Sequence, residues 1–226
     1  MSKKFLNPAK NHLVVWGATG QLLVINEFAD SVGLKIACVV DENKRIESPL
    51  LGTPIVHSKA ELADWLTLQD QSIKFSTVVA IGGSRGRERA TIAAELQSMG
   101  LAAQNVIHPY AHIAEDATYD DGLQLMMGAV VATRCHLGSY CIVNTNASID
   151  HECNLSSGVH VGPGACLAGC VYLGKNSFIG AGATVLPKIK IGDNVIVGAG
   201  SVVTKNLPND CTAYGNPARI ITQPNR

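Results

Sequence analysis

The chain has 226 residues, 46% of them hydrophobic, and its 18 basic residues balance 18 acidic ones. That composition suits a globular protein of one or two domains and argues against a nucleic-acid or membrane-surface partner. No run is long enough to span a bilayer, and the opening Met1-Ser2-Lys3-Lys4-Phe5-Leu6 lacks the apolar core of a signal peptide, so a cytoplasmic protein is expected.

Residues 12–16 form an apolar run that reads as a strand and ends in Gly17-Ala18-Thr19-Gly20. An amphipathic stretch over 21–32 follows, with Leu22, Leu23, Ile25, Phe28 and Ala29 as its apolar positions. Residues 35–40 read as a second strand ending at Asp41-Glu42. After a turn-rich segment, Ser58 predicts an N-cap for a helix over 59–69, with Glu61 completing a capping box. Residues 76–81 read as a third strand running into Gly82-Gly83-Ser84, and a helix over 85–99 stops at Gly100. This alternation predicts a small parallel sheet with helices on its faces, an α/β Rossmann-like domain over residues 1–106. The glycine turn departs from the dinucleotide fingerprint at Thr19 and lacks the last glycine, so NAD is not expected. Ligands of open parallel sheets bind outside the carboxyl ends of the strands. Thr19, Gln21, Asp41, Glu42 and Ser84 fall there, with Arg87 close behind, and a nucleotide without a nicotinamide half would fit.

From Ile107 to Val203 an aliphatic residue recurs at every sixth position, with Tyr119 the one departure. Neither a helix nor an ordinary sheet asks for a period of six; a short strand and a corner, repeated in one rotational sense, does. Three residues after each aliphatic comes, at most corners, Gly, Asn or Asp (Asp116, Gly122, Asn146 and Asn206 among them), residues that tolerate a left-handed backbone. One further on comes a small residue that packs inside, including Cys135, Cys141 and Cys153. Three edges close a coil of 18 residues, giving five to six coils over residues 107–208, in a second domain spanning 107–226. The tail Tyr214-Gly215-Asn216-Pro217-Ala218-Arg219 leaves the pattern and is expected to cap the last coil.

Among seven histidines, the hexad singles out His151. It lies two residues after Ile149 and so points away from the axis, and its neighbour Glu152 occupies a corner where a left-handed backbone costs roughly 1 kcal/mol. That cost suggests that the carboxylate is wanted there, to accept from the imidazole and fix its tautomer; Asp150 is a second candidate. One coil on from His151 stands Gly169, which leaves room for a substrate atom and bares an N–H. A base beside a backbone donor is what acyl transfer needs. No two histidines are five residues apart, the spacing that prism-fold zinc enzymes use, so no catalytic metal is expected.

The stretch from Asn144 to Cys153, with His160-Val161 after it, resembles the hexapeptide-repeat sugar acetyltransferases of the sialic acid O-acetyltransferase and nucleotide-4-amino-sugar N-acetyltransferase family, the bacillosamine-pathway type above all. The resemblance implies a left-handed parallel β-helix, although the crossover rule alone favours right-handed connections. It also implies a homotrimer, acetyl-CoA between two prisms as co-substrate, and a UDP- or dTDP-linked amino sugar on the first domain. In that picture His151 is the base oriented by Glu152, with Thr19, Gln21, Asp41, Glu42, Arg87 and Asn144 on the substrate. His160, Gly169, Ala181 and Ala199 would serve the acetyl-CoA. The chain departs from the family at Gln21, where a histidine is common. O-acetylation of a sugar hydroxyl and a non-catalytic scaffold in polysaccharide synthesis are the alternatives.

Overall fold

A computed structural model describes residues 11–70 and 72–222. The leading segment, read above for a signal peptide, lies outside the described residues. Among them, no helix is long and apolar enough to cross a membrane.

The first part is a five-stranded, wholly parallel sheet. In chain order it comprises β1 (Asn11–Trp16), α1 (Gly20–Ala29), β2 (Leu34–Val40), β3 (Ile55–Val56), α2 (Lys59–Thr67), β4 (Phe75–Val79), α3 (Gly86–Ser98) and β5 (Ala102–Ala103). The sheet order is β3-β2-β1-β4-β5, so the winding reverses between β1 and β4. The helix over 21–32 is shorter than expected, because its last residues tighten into a 3₁₀ turn at Asp30–Val32 that closes on left-handed Gly33. Ser58 Oγ accepts from Glu61 N–H at 3.1 Å as the capping box requires, but Glu61 returns its bond to His57 N–H at 2.8 Å, one residue early. The two-residue strands β3 and β5 are additions to the three strands expected from the sequence.

The second part is a triangular left-handed β-helix whose faces are sheets of eight, six and five short strands. Pairing is between residues 18 apart, as in Val143 with Val161 and Ile149 with Leu167. The aliphatic column from Leu125 to Val203 is buried, and each such side chain contributes roughly 1.5–3 kcal/mol. The first coil is looser: Ile107 and Ile113 are only partly buried and Tyr119 is 40% exposed. The inner corners take positive φ, but Asp116 and Asn206 do not. Asp116 lies in the first coil, and beyond Asn206 the chain leaves the hexad at Leu207-Pro208. Glu152 is one of several non-glycine corners at positive φ, which corrects the expectation drawn from its backbone cost. Arg134, Tyr140, Cys170 and Lys188 share its left-handed backbone, so positive φ does not single out the glutamate. At the far end Arg219–Thr222 turns back antiparallel on Thr212–Tyr214 and covers the last coil.

Arg89 ties the two parts together. It is fully buried on the face of α3 that also carries Ile92, Ala93 and Leu96. Its guanidinium donates to the carbonyls of Ile81 at 2.7 Å, Tyr140 at 2.8 Å and Gly158 at 2.7 Å. Burial lowers its pKa to about 10, which leaves the cation intact at neutral pH.

Candidate active site

The first polar centre is a cavity of about 450 Å³ at the carboxyl ends of β1 and β4, where the winding reverses. Gly17 makes the floor possible: its φ is +106°, and a Cβ there would lie 2.8 Å from Ala80 O. The first turn of α1 opens toward the same cavity with no acidic residue and no side-chain cap from Thr19, which leaves its N–H groups to an anion. The opposite wall comes from the prism, through Asn144 and His160. A larger cleft of about 590 Å³ opens at the amino ends of the strands, beside Asn11 and Phe75, on the side that parallel sheets do not use for ligands.

His160 is 4% exposed. Its Nδ1 lies 3.3 Å from Gly83 O, which can only accept, so Nδ1 carries the proton and Nε2 accepts from Asn144 Nδ2 at 3.2 Å. Burial first, and the Arg89 cation second, push its pKa down to about 4, so the ring is neutral at physiological pH.

The second centre lies on a prism edge. His151 and Glu152 are each 49% exposed, and Nδ1 is 3.1 Å from Glu152 Oε2. An ionised carboxylate only accepts, so the Nδ1 proton points at Glu152 and Nε2 keeps its lone pair. That nitrogen lies against Gly169: a Cβ there would collide with Nε2 and stand 2.5 Å from Cε1. The N–H of Gly169 donates to no atom among the described residues, and neither do those of Ala181 and Ala199. This hexad position makes no backbone ladder bond through its N–H, which is why Pro163 and Pro187 are accommodated at equivalent places; Gly169 itself is buried under the His151 ring, whereas Ala181 and Ala199 are exposed.

Of the expected substrate residues, Thr19, Gln21, Asp41, Glu42 and Asn144 line the cavity. Two are already engaged. Both Asp41 oxygens accept backbone N–H groups, from Ala18 and Asn43, each at 3.0 Å. Gln21 donates to Gln124 Oε1 at 2.9 Å, and Gln124 in turn donates to Val79 O at 2.8 Å. Arg87 is not at the cavity; it donates to Asn194 Oδ1 at 3.2 Å on the prism. The arginine there is Arg85, paired with Glu88. His160, expected beside the acetyl group, lines this cavity, while Gly169, Ala181 and Ala199 lie on the prism. Sequence reasoning missed Arg85, Arg89 and Gln124. Arg89 had a signal: it begins the apolar spacing Arg89, Ile92, Ala93, Leu96.

A prism edge that pairs an oriented imidazole with unpaired amides, in a chain that also carries a nucleotide-sized cavity, defines an acyltransferase. Residues 171–205 match the family described as bacterial transferase hexapeptide (six repeats). Among solved structures, PerB from Caulobacter crescentus, in complex with CoA and GDP-perosamine, is 32% identical over 94% of this chain and 98% of its own, with a TM-score of 0.85. A variant of perosamine N-acetyltransferase from the same organism, with the same two ligands, is 31% identical over the same shares, with a TM-score of 0.86. The acetyltransferase domain of PglB from Neisseria gonorrhoeae FA1090, in complex with acetyl coenzyme A, is 30% identical over 94% of this chain and 100% of its own, with a TM-score of 0.82. The chain belongs to this family of hexapeptide-repeat N-acetyltransferases of nucleotide-linked amino sugars. It is an acetyl-CoA-dependent enzyme rather than a scaffold.

Proposed function

We propose that this protein acetylates the 4-amino group of a nucleotide-linked sugar, by direct attack on acetyl-CoA, with His151 as the base. The observation that carries the reading is the His151 lone pair at Nε2, held toward Gly169 by the Glu152 bond on Nδ1. His151 takes the proton from the attacking amine, and the Gly169 N–H holds the developing oxyanion. The imidazolium then returns its proton to the departing thiolate. The outward N–H groups of Ala181 and Ala199 suit the amide-bearing arm of coenzyme A.

The cavity takes the nucleotide sugar. The uncapped first turn of α1 meets the diphosphate, and Glu42 and Asn144 face the rest of the ligand. Within one chain the base and this cavity lie on different edges of the prism, nine residues and half a coil apart at His151 and His160. A homotrimer resolves this, with the edge of one subunit set against the cavity of the next. We take the enzyme to act in the cytoplasm, where acetyl-CoA and nucleotide sugars are made.

The test is an acetyl-transfer assay with UDP-, dTDP- and GDP-linked 4-amino sugars and their 4-hydroxy analogues. Transfer to an amine and not to the matched hydroxyl is the expected result. Equal transfer to the hydroxyl overturns the N-acetyl assignment. A His151→Ala variant with native turnover overturns the base.

A further inference from the structure

Cys170 has no task in that mechanism, yet it stands one coil beyond Glu152 in the same corner column. Its Sγ is 3.8 Å from Glu152 Oε2, which is itself 3.1 Å from His151 Nδ1. One nitrogen, one oxygen and one sulfur ligand atom thus lie within 4.8 Å of one another. A tetrahedral zinc ion, with bonds of roughly 2.0–2.3 Å, sets its ligand atoms about 3.3–3.8 Å apart, so small side-chain rotations complete the site. His151 and Glu152 are half exposed, which gives an ion an entry path and leaves a fourth position for water. Imidazole together with thiolate favours zinc over magnesium or calcium. Arg134 lies 4.0 Å from the other Glu152 oxygen, Oε1, and opposes a cation, which makes the site reversible rather than structural.

We propose that zinc binds His151, Glu152 and Cys170 and switches the enzyme off by reversing the tautomer of the imidazole. The ion takes the place of the proton on Nδ1. The neutral ring then carries its proton on Nε2, and the lone pair that faces Gly169 is lost. Cys170 gives its thiol proton to solvent as it ligates, so one proton is released for each ion bound. The inhibition rests on the His151 reading above; the binding does not.

The experiment uses the untagged full chain. Cobalt(II) serves as the spectroscopic probe of binding, and acetyl transfer is followed as initial rates in added zinc, before released thiol accumulates. Native enzyme should give a thiolate-to-cobalt charge-transfer band, and saturating zinc should lower turnover about 10²-fold or more, reversed by a chelator. Cys170→Ala should keep its zinc-free turnover, lose the band and raise the zinc midpoint by about tenfold or more. Cys170→Ser should behave like Cys170→Ala, and Cys166→Ala, which alters another solvent-facing thiol, like the native enzyme. The proposal is overturned if native enzyme gives no thiolate band, if zinc leaves turnover unchanged, or if Cys170→Ala is inhibited at the native midpoint. Metal-free turnover of His151→Ala tests the base alone, so the two readings fail separately.

Discussion

His151 sits half exposed on a prism edge with a carboxylate on its Nδ1, whereas His160, half a coil further on, is 4% exposed with a carbonyl on its Nδ1 and a buried cation nearby. Both rings carry their proton on Nδ1, but only one has a free nitrogen. At His160 the lone pair is taken by Asn144. At His151 it faces a glycine. The same side chain keeps a free lone pair where its second nitrogen has no partner, and serves as a wall where every group is satisfied.

The largest effect should come from the exposed ring. His151→Ala is expected to lower kcat about 10²–10⁴-fold with little change in stability, measured by steady-state kinetics beside thermal unfolding. In the buried region Arg89→Ala strands three carbonyls and should cost roughly 3–5 kcal/mol in urea unfolding, with the seam between the two parts opening first. Gly169→Ala puts a methyl group into the His151 ring and should lower kcat about 10²–10³-fold while the fold survives, since the ring it displaces is half exposed and free to move.

The mildest test separates the two rings by pH. The His160 pKa falls from 6.5 to about 4 on folding, so between those values the unfolded chain binds more protons than the folded one. Stability from this group is complete above about pH 6.5 and is lost as pH falls toward 4, about 3 kcal/mol in all. Urea unfolding of native protein and His160→Gln across that window should show the native curve falling more steeply. Parallel curves would mean that the ring is not held neutral.

The solenoid is legible because its period converts sequence distance into contact: residues 18 apart pair, so the count alone sets Gly169 beside His151. The α/β part is legible where strands are long. It fails at β3 and β5, since two residues carry no period. Contacts across the seam follow no repeat at all. The bond from Gln21, which lines the cavity, to Gln124 on the prism is therefore not readable from the sequence. Arg85 is the N-cap of α3, outside its helical backbone, while Arg87 lies in the first turn, so the two side chains leave the helix start in different directions. Only the seating of that helix on the prism decides which arginine meets the cavity.

The returning strand at Arg219–Thr222 bears on how copies of this protein meet. A stack of parallel rungs ends in a row of unsatisfied amides and carbonyls, a template on which another stack could continue end to end as a fibre. By laying an antiparallel segment across Thr212–Tyr214, the chain reverses, on one of the three faces, the polarity that a further rung would need.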